Sequence, residues 1–216
     1  MKKLVIFDLD GTLLNTIADL GNAANHALEQ MGYPKHAIGS YTGMVGNGVT
    51  KLLERALPEE ARTTRIIEAM RTHFKEYYDA HLCDTTTVYP GIMELLEELR
   101  QRGVNIAVAS NKYNSAVQTL ISHFFGAYEW SAVFGHLDGV PVKPDPSVVF
   151  EVLAQCPTAK SDVLYVGDSG IDMETARRAC VESCGVTWGF RTREDLVSHY
   201  ADHIVSNPDD ILPLLL

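Results

Sequence analysis

Long apolar runs are missing from this chain of 216 residues. No stretch approaches the roughly 18 consecutive apolar residues that a membrane-spanning helix needs. The N-terminal run that follows Met1-Lys2-Lys3 stops at Asp8, which is short of the roughly seven to fifteen apolar residues at the centre of a signal peptide. The sequence therefore predicts a cytoplasmic protein that has no membrane partner.

Positive charge is also scarce. Lysine and arginine together number 18 against 28 acidic residues, which leaves a formal net charge of -10. A nucleic acid or an anionic membrane surface would be repelled by such a chain, so neither is an expected partner. An anionic small molecule would have to be attracted by positive charge at the binding site itself.

Cysteine is limited to four residues, and none of them forms a Cys-x-x-Cys pair. Cys180 and Cys184 are separated by three residues and have no neighbouring histidine that would complete a zinc site. We expect reduced thiols that serve the structure, as is usual in the cytosol.

Several common motifs are absent or lie in the wrong context. There is no P-loop Gly-Lys-Ser/Thr, and the glycines of Gly43-x-x-Gly46-x-Gly48 have the wrong spacing for a dinucleotide-binding turn. Gly167-Asp168-Ser169-Gly170 resembles part of a serine protease motif. That protease fold is all-β, whereas this chain alternates strands and helices, so the resemblance carries no weight.

The alternation of short apolar runs with helical patterns predicts an α/β fold with a doubly wound parallel sheet, that is, a Rossmann-like core. Leu4–Phe7 is an unbroken apolar run, typical of a strand that is buried on both faces. Between residues 15 and 84 three helical patterns follow one another without a strand. We therefore predict a catalytic core of residues 1–14 plus 85–216, and an inserted helical cap domain of residues 15–84.

Polar residues follow the predicted strands at four places. Each has an ordinary alternative explanation as a turn, a helix cap or a solvated surface residue. Ligands of parallel sheets bind at the carboxyl ends of the strands, however, and all four groups lie at that edge. The four groups are Asp8 with Asp10, Ser110 with Asn111, Lys143, and Asp168 with Asp172.

These residue types suit the hydrolysis of a phosphate monoester. A carboxylate nucleophile divides this very slow reaction into two steps through an aspartyl-phosphate. Its attack on an anionic phosphate requires positive charge, which Mg²⁺ and a lysine would supply. A second carboxylate would donate a proton to the leaving oxygen and later accept one from water.

The four groups also resemble, in order and spacing, the motifs of the haloacid dehalogenase-like hydrolase superfamily. The matching segments are Asp8-Leu9-Asp10-Gly11-Thr12-Leu13, Ser110-Asn111, Lys143-Pro144 and Gly167-Asp168-Ser169-x-x-Asp172. The helical insertion looks like the cap of the subgroup that contains phosphoglycolate phosphatases and β-phosphoglucomutases. Two further segments look most like the phosphoglycolate phosphatase branch, namely residues 43–48 and Thr187-Trp188-Gly189-Phe190.

The resemblance implies a role for each residue. Asp8 would be the nucleophile and a Mg²⁺ ligand, and Asp10 would be the general acid and base with its backbone carbonyl on the metal. Asp168 would be the third metal ligand, and Asp172 would support the metal site. Phosphate binding would fall to Ser110, Asn111, Lys143 and Thr12; Lys143 would also offset charge beside Asp8, and Thr12 would help to fix the loop of the first motif.

The presence of Asp10 favours phosphate ester hydrolysis over dehalogenation, because dehalogenases of this family lack the second aspartate. A phosphosugar mutase and a non-catalytic phospho-ligand binding module stay open as alternatives. The sequence leaves the substrate open among small phosphorylated metabolites, with 2-phosphoglycolate as the leading example; a monomer and a homodimer are equally compatible with it.

Substrate choice is expected to lie in the cap, in the loop that includes Gly46, Asn47 and Lys51. A carboxylate on the substrate would need a cationic partner, for which Lys51, Arg55 and Lys112 are the candidates. Asn15-Thr16 departs from the Asp-Ser that relatives often have at the start of the cap.

Overall fold

The computed structural model describes residues 1–216, and it contains eight β-strands. Six of them form one parallel sheet in the order β5-β4-β1-β6-β7-β8, and β2 pairs with β3 in a separate antiparallel ribbon. The fold class predicted from the sequence is confirmed. The strands are β1 (Leu4–Phe7), β2 (Leu14–Asn15), β3 (Thr87–Val88), β4 (Asn105–Tyr113), β5 (Ala132–His136), β6 (Val163–Gly167), β7 (Glu182–Val186) and β8 (His203–Val205).

Helices cover both faces of the main sheet. These are α4 (Ile92–Gln101), α5 (Asn114–Phe125), α6 (Ser147–Gln155), α7 (Gly170–Ala179) and α8 (Arg193–Ser198). The fully buried strand β1 shows why the run is apolar throughout. Leu4 and Ile6 pack into a cluster with α6 and α7, whereas Val5 and Phe7 pack into the larger cluster that contains α4 and α5. Alternate residues of one strand thus serve two separate layers.

The cap consists of α1 (Ile17–Gln30), α2 (Val49–Ala56) and α3 (Thr64–His81), with α3 packed against both other helices. The predicted helix from Glu59 to about His81 is divided in two. A short 3-10 turn spans Glu59–Ala61, and α3 begins after Thr63, whose hydroxyl accepts a hydrogen bond from Ile66 N. This N-cap gives the new helix its own start.

The cap leaves and rejoins the core through adjacent strands. Leu14 lies opposite Val88, and Asn15 lies opposite Thr87, in the ribbon formed by β2 and β3. The sequence did not predict this ribbon. The boundaries of the cap at residues 15 and 84 stay a prediction. None of the helices is both long and apolar enough to cross a membrane, and all four cysteines are unpaired.

Candidate active site

Asp8 follows the last residue of β1 and is held there by Lys143. The ammonium of Lys143 donates hydrogen bonds to Asp172 Oδ1 at 2.8 Å and to Ala109 O at 2.9 Å. It also forms an ion pair with Asp8 Oδ1 at 2.9 Å, although that oxygen accepts no hydrogen bond. The contact between Lys143 and a phosphoryl group stays a prediction.

Three buried carboxylates meet beside Lys143. Oxygens of Asp8, Asp168 and Asp172 lie within 4.8 Å of one another. Burial acts to lower the pKa of Lys143, but Asp172 and Asp8 outweigh it and hold that pKa well above its usual value. The cluster thus contains one lysine and three carboxyl groups.

Two of these carboxyl groups have raised pKa values. Burial raises the pKa of Asp8 to about 7; Lys143 opposes this shift, and Asp172 adds to it. Burial and the charges of Asp172 and Asp8 also hold the pKa of Asp168 well above its usual value. A divalent cation on these hard oxygen donors would offset the repulsion, so the residues present fit such a metal.

The free oxygens distinguish the three acids. Asp172 is engaged on both sides, since Oδ1 meets Lys143 and Oδ2 accepts from Ser169 N and Oγ. Asp168 Oδ2 accepts from Phe190 N at 2.6 Å, and Asp8 Oδ2 accepts no hydrogen bond from the protein. Asp8 and Asp168 therefore keep oxygens for a metal, whereas Asp172 is placed to support the site.

Close backbone approach makes this packing possible. A Cβ on Gly11 or on Gly189 would collide with the side chain of Asp168, and Gly11 has a φ of +83°. Only glycine adopts that backbone angle without strain and leaves room for the carboxylate. The loop after β1 thus carries Asp8, Gly11 and Asp10 within four residues.

Asp10 faces a different set of partners from Asp8. Its Oδ1 accepts a 2.7 Å hydrogen bond from the hydroxyl of Thr16, and its Oδ2 lies 3.1 Å from the ammonium of Lys112. Thr16 precedes α1 but does not cap it, because its hydroxyl is engaged with Asp10. A serine at this position would offer the same hydroxyl.

The irregular end of β4 carries the second motif. The strand continues to Tyr113 rather than ending near residue 109, and its register against β5 shifts between Ala109 and Tyr113. The side-chain amide of Asn111 connects two loops. It donates to Lys143 O and accepts from Lys143 N, and it also donates to Gly46 O at 2.9 Å. Ser110 lines the cavity and accepts from Lys112 N.

A small cavity between core and cap joins these residues. It has about 40 Å³ open to the centres of water molecules, and one water needs ~10–15 Å³ on this measure. The core contributes polar groups, and the cap contributes an apolar roof. The lining comprises Asp8, Asp10, Leu20, Val45, Gly46, Gly48, Val49, Leu52, Phe74, Ser110, Asn111, Lys112, Tyr113, Asp168, Ser169, Phe190 and Arg191.

Some predicted site residues lie outside this cavity. Thr12 is fully buried and is not part of the lining. Lys51 is exposed and pairs with Glu54 at 2.6 Å, and Asn47 accepts a hydrogen bond from Arg55. Of the three cap-loop residues predicted to govern specificity, only Gly46 lines the cavity.

Other residues of the site were not predicted. Lys112 was considered only as a partner for a substrate carboxylate, but it pairs with Asp10. Phe190 binds Asp168, and Trp188 donates its Nε1 hydrogen to Thr12 O at 3.0 Å. Arg191, which follows Phe190, was not among the predicted site residues. Residues 187–190 resemble a segment of the phosphoglycolate phosphatase branch, but this resemblance did not indicate the contacts with Asp168 and Thr12.

The fold and this arrangement of acids define a hydrolase class, and the chain belongs to it. A sequence profile of the haloacid dehalogenase-like hydrolase family matches residues 5–186, and the chain is a member of that family. The recognition made from four short motifs is thereby confirmed.

Within this family, the chain is similar to curated phosphoglycolate phosphatases. The chain is 30% identical to the phosphoglycolate phosphatase of Pasteurella multocida, over 99% of this chain and 98% of that one. It is 31% identical to the phosphoglycolate phosphatase of Pectobacterium atrosepticum, over 97% of this chain and 90% of that one.

A solved structure agrees with these relatives. A Lactobacillus delbrueckii subsp. bulgaricus protein, named by inference as a phosphoglycolate phosphatase, superposes with a TM-score of 0.93 at 34% identity. The superposition covers 100% of this chain and 99% of that one. The chain is therefore similar over its full length to proteins of the phosphoglycolate phosphatase type.

Proposed function

We propose that this protein is a Mg²⁺-dependent phosphomonoester hydrolase that works through an aspartyl-phosphate on Asp8. One observation carries the proposal. Asp8 is held by Lys143 beside Asp168 and opens into the same cavity as Asp10. A nucleophile, a second carboxylate and a metal-binding oxygen are thus available to one small ligand.

Asp8 and Asp168 would hold Mg²⁺ through their free oxygens, together with the backbone carbonyl of Asp10. Mg²⁺ bound there would draw charge from the phosphoryl oxygens and reduce their repulsion of Asp8. Asp172 and Lys143 would keep Asp8 and Asp168 in position. Ser110 would contact the phosphoryl group directly, and Asn111 would hold the surrounding loops.

The reaction would proceed in two steps on the chain's own residues. A carboxylate oxygen of Asp8 would attack phosphorus, the bond to the ester oxygen would break, and protonated Asp10 would give its proton to that oxygen. Water then attacks the phosphorus of the aspartyl-phosphate and transfers a proton to Asp10. Inorganic phosphate leaves, and Asp8 is a carboxylate again. Thr16 and Lys112 would orient Asp10 in both steps.

We infer that the substrate is a very small phosphorylated metabolite, with 2-phosphoglycolate as the leading candidate. The cavity of about 40 Å³ supports a small substrate in the closed form. The curated relatives that match nearly the full chain are named phosphoglycolate phosphatases. Enclosure by the cap would also exclude bulk water during formation of the phosphoenzyme.

The test is phosphate release from a panel of phosphomonoesters, with and without Mg²⁺, by wild type and Asp8→Asn. The panel should contain 2-phosphoglycolate, a sugar phosphate, a nucleoside monophosphate and pyrophosphate. We expect Mg²⁺-dependent release that falls by a factor on the order of 10⁴ or more in Asp8→Asn, with its circular dichroism unchanged.

Two results would contradict the proposal. Undiminished activity of Asp8→Asn would exclude Asp8 as the nucleophile. Absence of release from every ester, together with interconversion of sugar phosphates that depends on a bisphosphate activator, would indicate a mutase instead.

A further inference from the structure

Of the arginines that pair with no carboxylate in this acidic chain, two bind the same loop of the cap. Arg191 follows β7 in the core and donates to Thr42 O and Val45 O. Arg55 lies on α2 and donates to Met44 O and to Asn47 Oδ1, both at 2.7 Å. Neither guanidinium lies within 4 Å of an acidic oxygen, although acids outnumber bases by ten in the whole chain.

Only one of these arginines lines the active-site cavity. Arg191 is part of the cavity wall, whereas Arg55 is not. The other cation of the lining is Lys112, and its charge is matched by Asp10 at 3.1 Å. Lys143 is matched in turn by Asp8 and Asp172. Arg191 is therefore the one cation of the cavity lining that forms no ion pair with a protein carboxylate.

The guanidinium also keeps hydrogen-bonding capacity. It carries five N–H groups, and its side chain donates to only two oxygens, both of them neutral carbonyls. The unused N–H groups and the full charge are free for an anion, and a guanidinium suits the planar geometry of a carboxylate.

The position of Arg191 relative to the phosphoryl site is set by its neighbour. Phe190 N donates to Asp168 Oδ2, so the backbone beside Arg191 is attached to a proposed metal ligand. The positive charge of Arg191 is close enough to lower the pKa of Asp168, although burial dominates that group. Asp8 and Arg191 line the same small cavity, so a short ligand whose phosphoryl group reaches Asp8 can present its other end to Arg191.

We propose that Arg191 is a specificity-determining residue, which selects phosphomonoesters that carry a second negative charge within a few bonds of the phosphoryl group. This inference rests on the proposed phosphatase function and adds a substrate class to it. A short phospho-carboxylate is the matching chemistry. The cap loop would hold Arg191 in position through Thr42 O and Val45 O when the cavity is closed.

The test compares two esters of equal length that differ in one charge, 2-phosphoglycolate and 2-hydroxyethyl phosphate. The measured quantity is the ratio of their kcat/KM values in wild type, Arg191→Gln and Arg55→Gln. We expect the ratio to fall by about tenfold or more in Arg191→Gln, which is the usual scale for one charge-assisted contact. Arg55→Gln is the matched control, because it loosens the same loop from outside the cavity, and its ratio should stay that of wild type.

The ratio separates charge recognition from damage to the loop. An equal loss on both esters in Arg191→Gln would overturn the proposal, since it would indicate a role in cap closure alone. An unchanged ratio in Arg191→Gln, or an equal fall in Arg55→Gln, would also overturn it.

A binding measurement keeps this test independent of turnover. Calorimetric affinities for the same two esters are measured in Asp8→Asn and in Asp8→Asn/Arg191→Gln, with Mg²⁺ present. We expect the preference for 2-phosphoglycolate to be lost in the double variant. If wild type releases no phosphate, the proposed function fails, and a preference that persists without Arg191 would show separately that this inference fails.

Discussion

Lys143 shows how one side chain can determine the ionisation of a whole site. Its ammonium forms ion pairs with two acids and donates a hydrogen bond to a backbone carbonyl, and its own exposed fraction is 3%. Removal of one partner from a buried ion pair leaves uncompensated charge in the interior. The stability of the metal-free protein should therefore depend strongly on this residue.

We expect Lys143→Met to lower the free energy of unfolding by about 3–5 kcal/mol at pH 7.5. The loss should be smaller at pH 5, because the unpaired acids can then take up protons in the folded state. Urea denaturation in EDTA at the two pH values measures both effects. Lys35→Met is the control, since Lys35 pairs with Glu29 at the surface and should cost under about 1 kcal/mol. A loss for Lys143→Met as small as that of the control would contradict this account.

Asp8 gives a prediction for the pH dependence of stability. Its pKa is raised from an ordinary 3.8 to about 7 in the folded protein. Between these values the folded state holds a proton that the unfolded chain has released, so stability falls as the pH rises through this window. The unfolding free energy of wild type relative to Asp8→Asn should fall by up to ~1.4 kcal/mol per pH unit.

The measurement is thermal or urea unfolding of both proteins in EDTA from pH 4 to pH 8.5. The difference between them should level off above about pH 8, where Asp8 is ionised in both states. A difference that stays constant across the whole range would show that the pKa of Asp8 is not raised.

At the scale of elements, the cap is attached by more than the β2–β3 ribbon. Asp19, in the first turn of α1, is 2% exposed and accepts from the backbone N–H and the hydroxyl of both Thr85 and Thr86. The start of the cap is thereby bound to the segment that returns to the core. A buried carboxylate with four donors fixes the geometry of both connections.

Asp19→Asn should weaken this attachment, because an amide offers one acceptor oxygen where the carboxylate offers two. We expect a loss of about 1–3 kcal/mol in unfolding free energy, together with faster hydrogen exchange at Thr85 and Thr86. Asp138→Asn serves as the control, since Asp138 is an exposed acid. Equal stability and unchanged exchange in Asp19→Asn would refute the role of this attachment.

The elements also show what a sequence can and cannot predict. The apolar run of β1 and the helical periodicity of α1 are local sequence patterns, and the bounds of both elements were predicted to within a few residues. The ribbon of β2 and β3 was missed because strands of two residues carry no period. Ser110 and Asn111 were expected after a strand but lie within β4. The strand continues past a shift in its register against β5, which depends on the pairing of distant segments.

The site could be predicted from the sequence where its functional residues lie close together in short motifs. The acids of the first and fourth motifs could be proposed from the sequence, and the structure gathers Asp8, Asp168 and Asp172. Arg191 could not be proposed, because its significance lies in the absence of an acidic partner. That property depends on residues far apart in the chain, as does the pairing of Lys112 with Asp10.

At the scale of the whole molecule, two cavities adjoin between core and cap. The active-site cavity of about 40 Å³ neighbours a cleft of about 330 Å³ that reaches Arg71, Lys75 and His136. Val49, Phe74 and Tyr113 line both spaces. These three side chains form a wall between the two spaces, and we expect this wall to limit the length of a bound substrate.

Val49→Ala should open this wall. We expect kcat/KM for 3-phosphoglycerate relative to 2-phosphoglycolate to rise by about tenfold, the scale of discrimination by one or two methylene groups. Thr50→Ala is the control, because Thr50 is exposed and lines neither space. A ratio that does not change in Val49→Ala would show that the wall does not set substrate size.

The ribbon of β2 and β3 has a consequence for how such an enzyme can be altered. No strand of the six-stranded sheet lies between residues 14 and 88, and the two ends of the intervening segment are antiparallel neighbours. The segment is therefore an insertion that begins and ends at neighbouring points of the core and contributes no strand to the main sheet. Replacement of this segment as a unit would exchange the apolar side of the cavity, while Asp8, Asp168 and Arg191 would stay on the core.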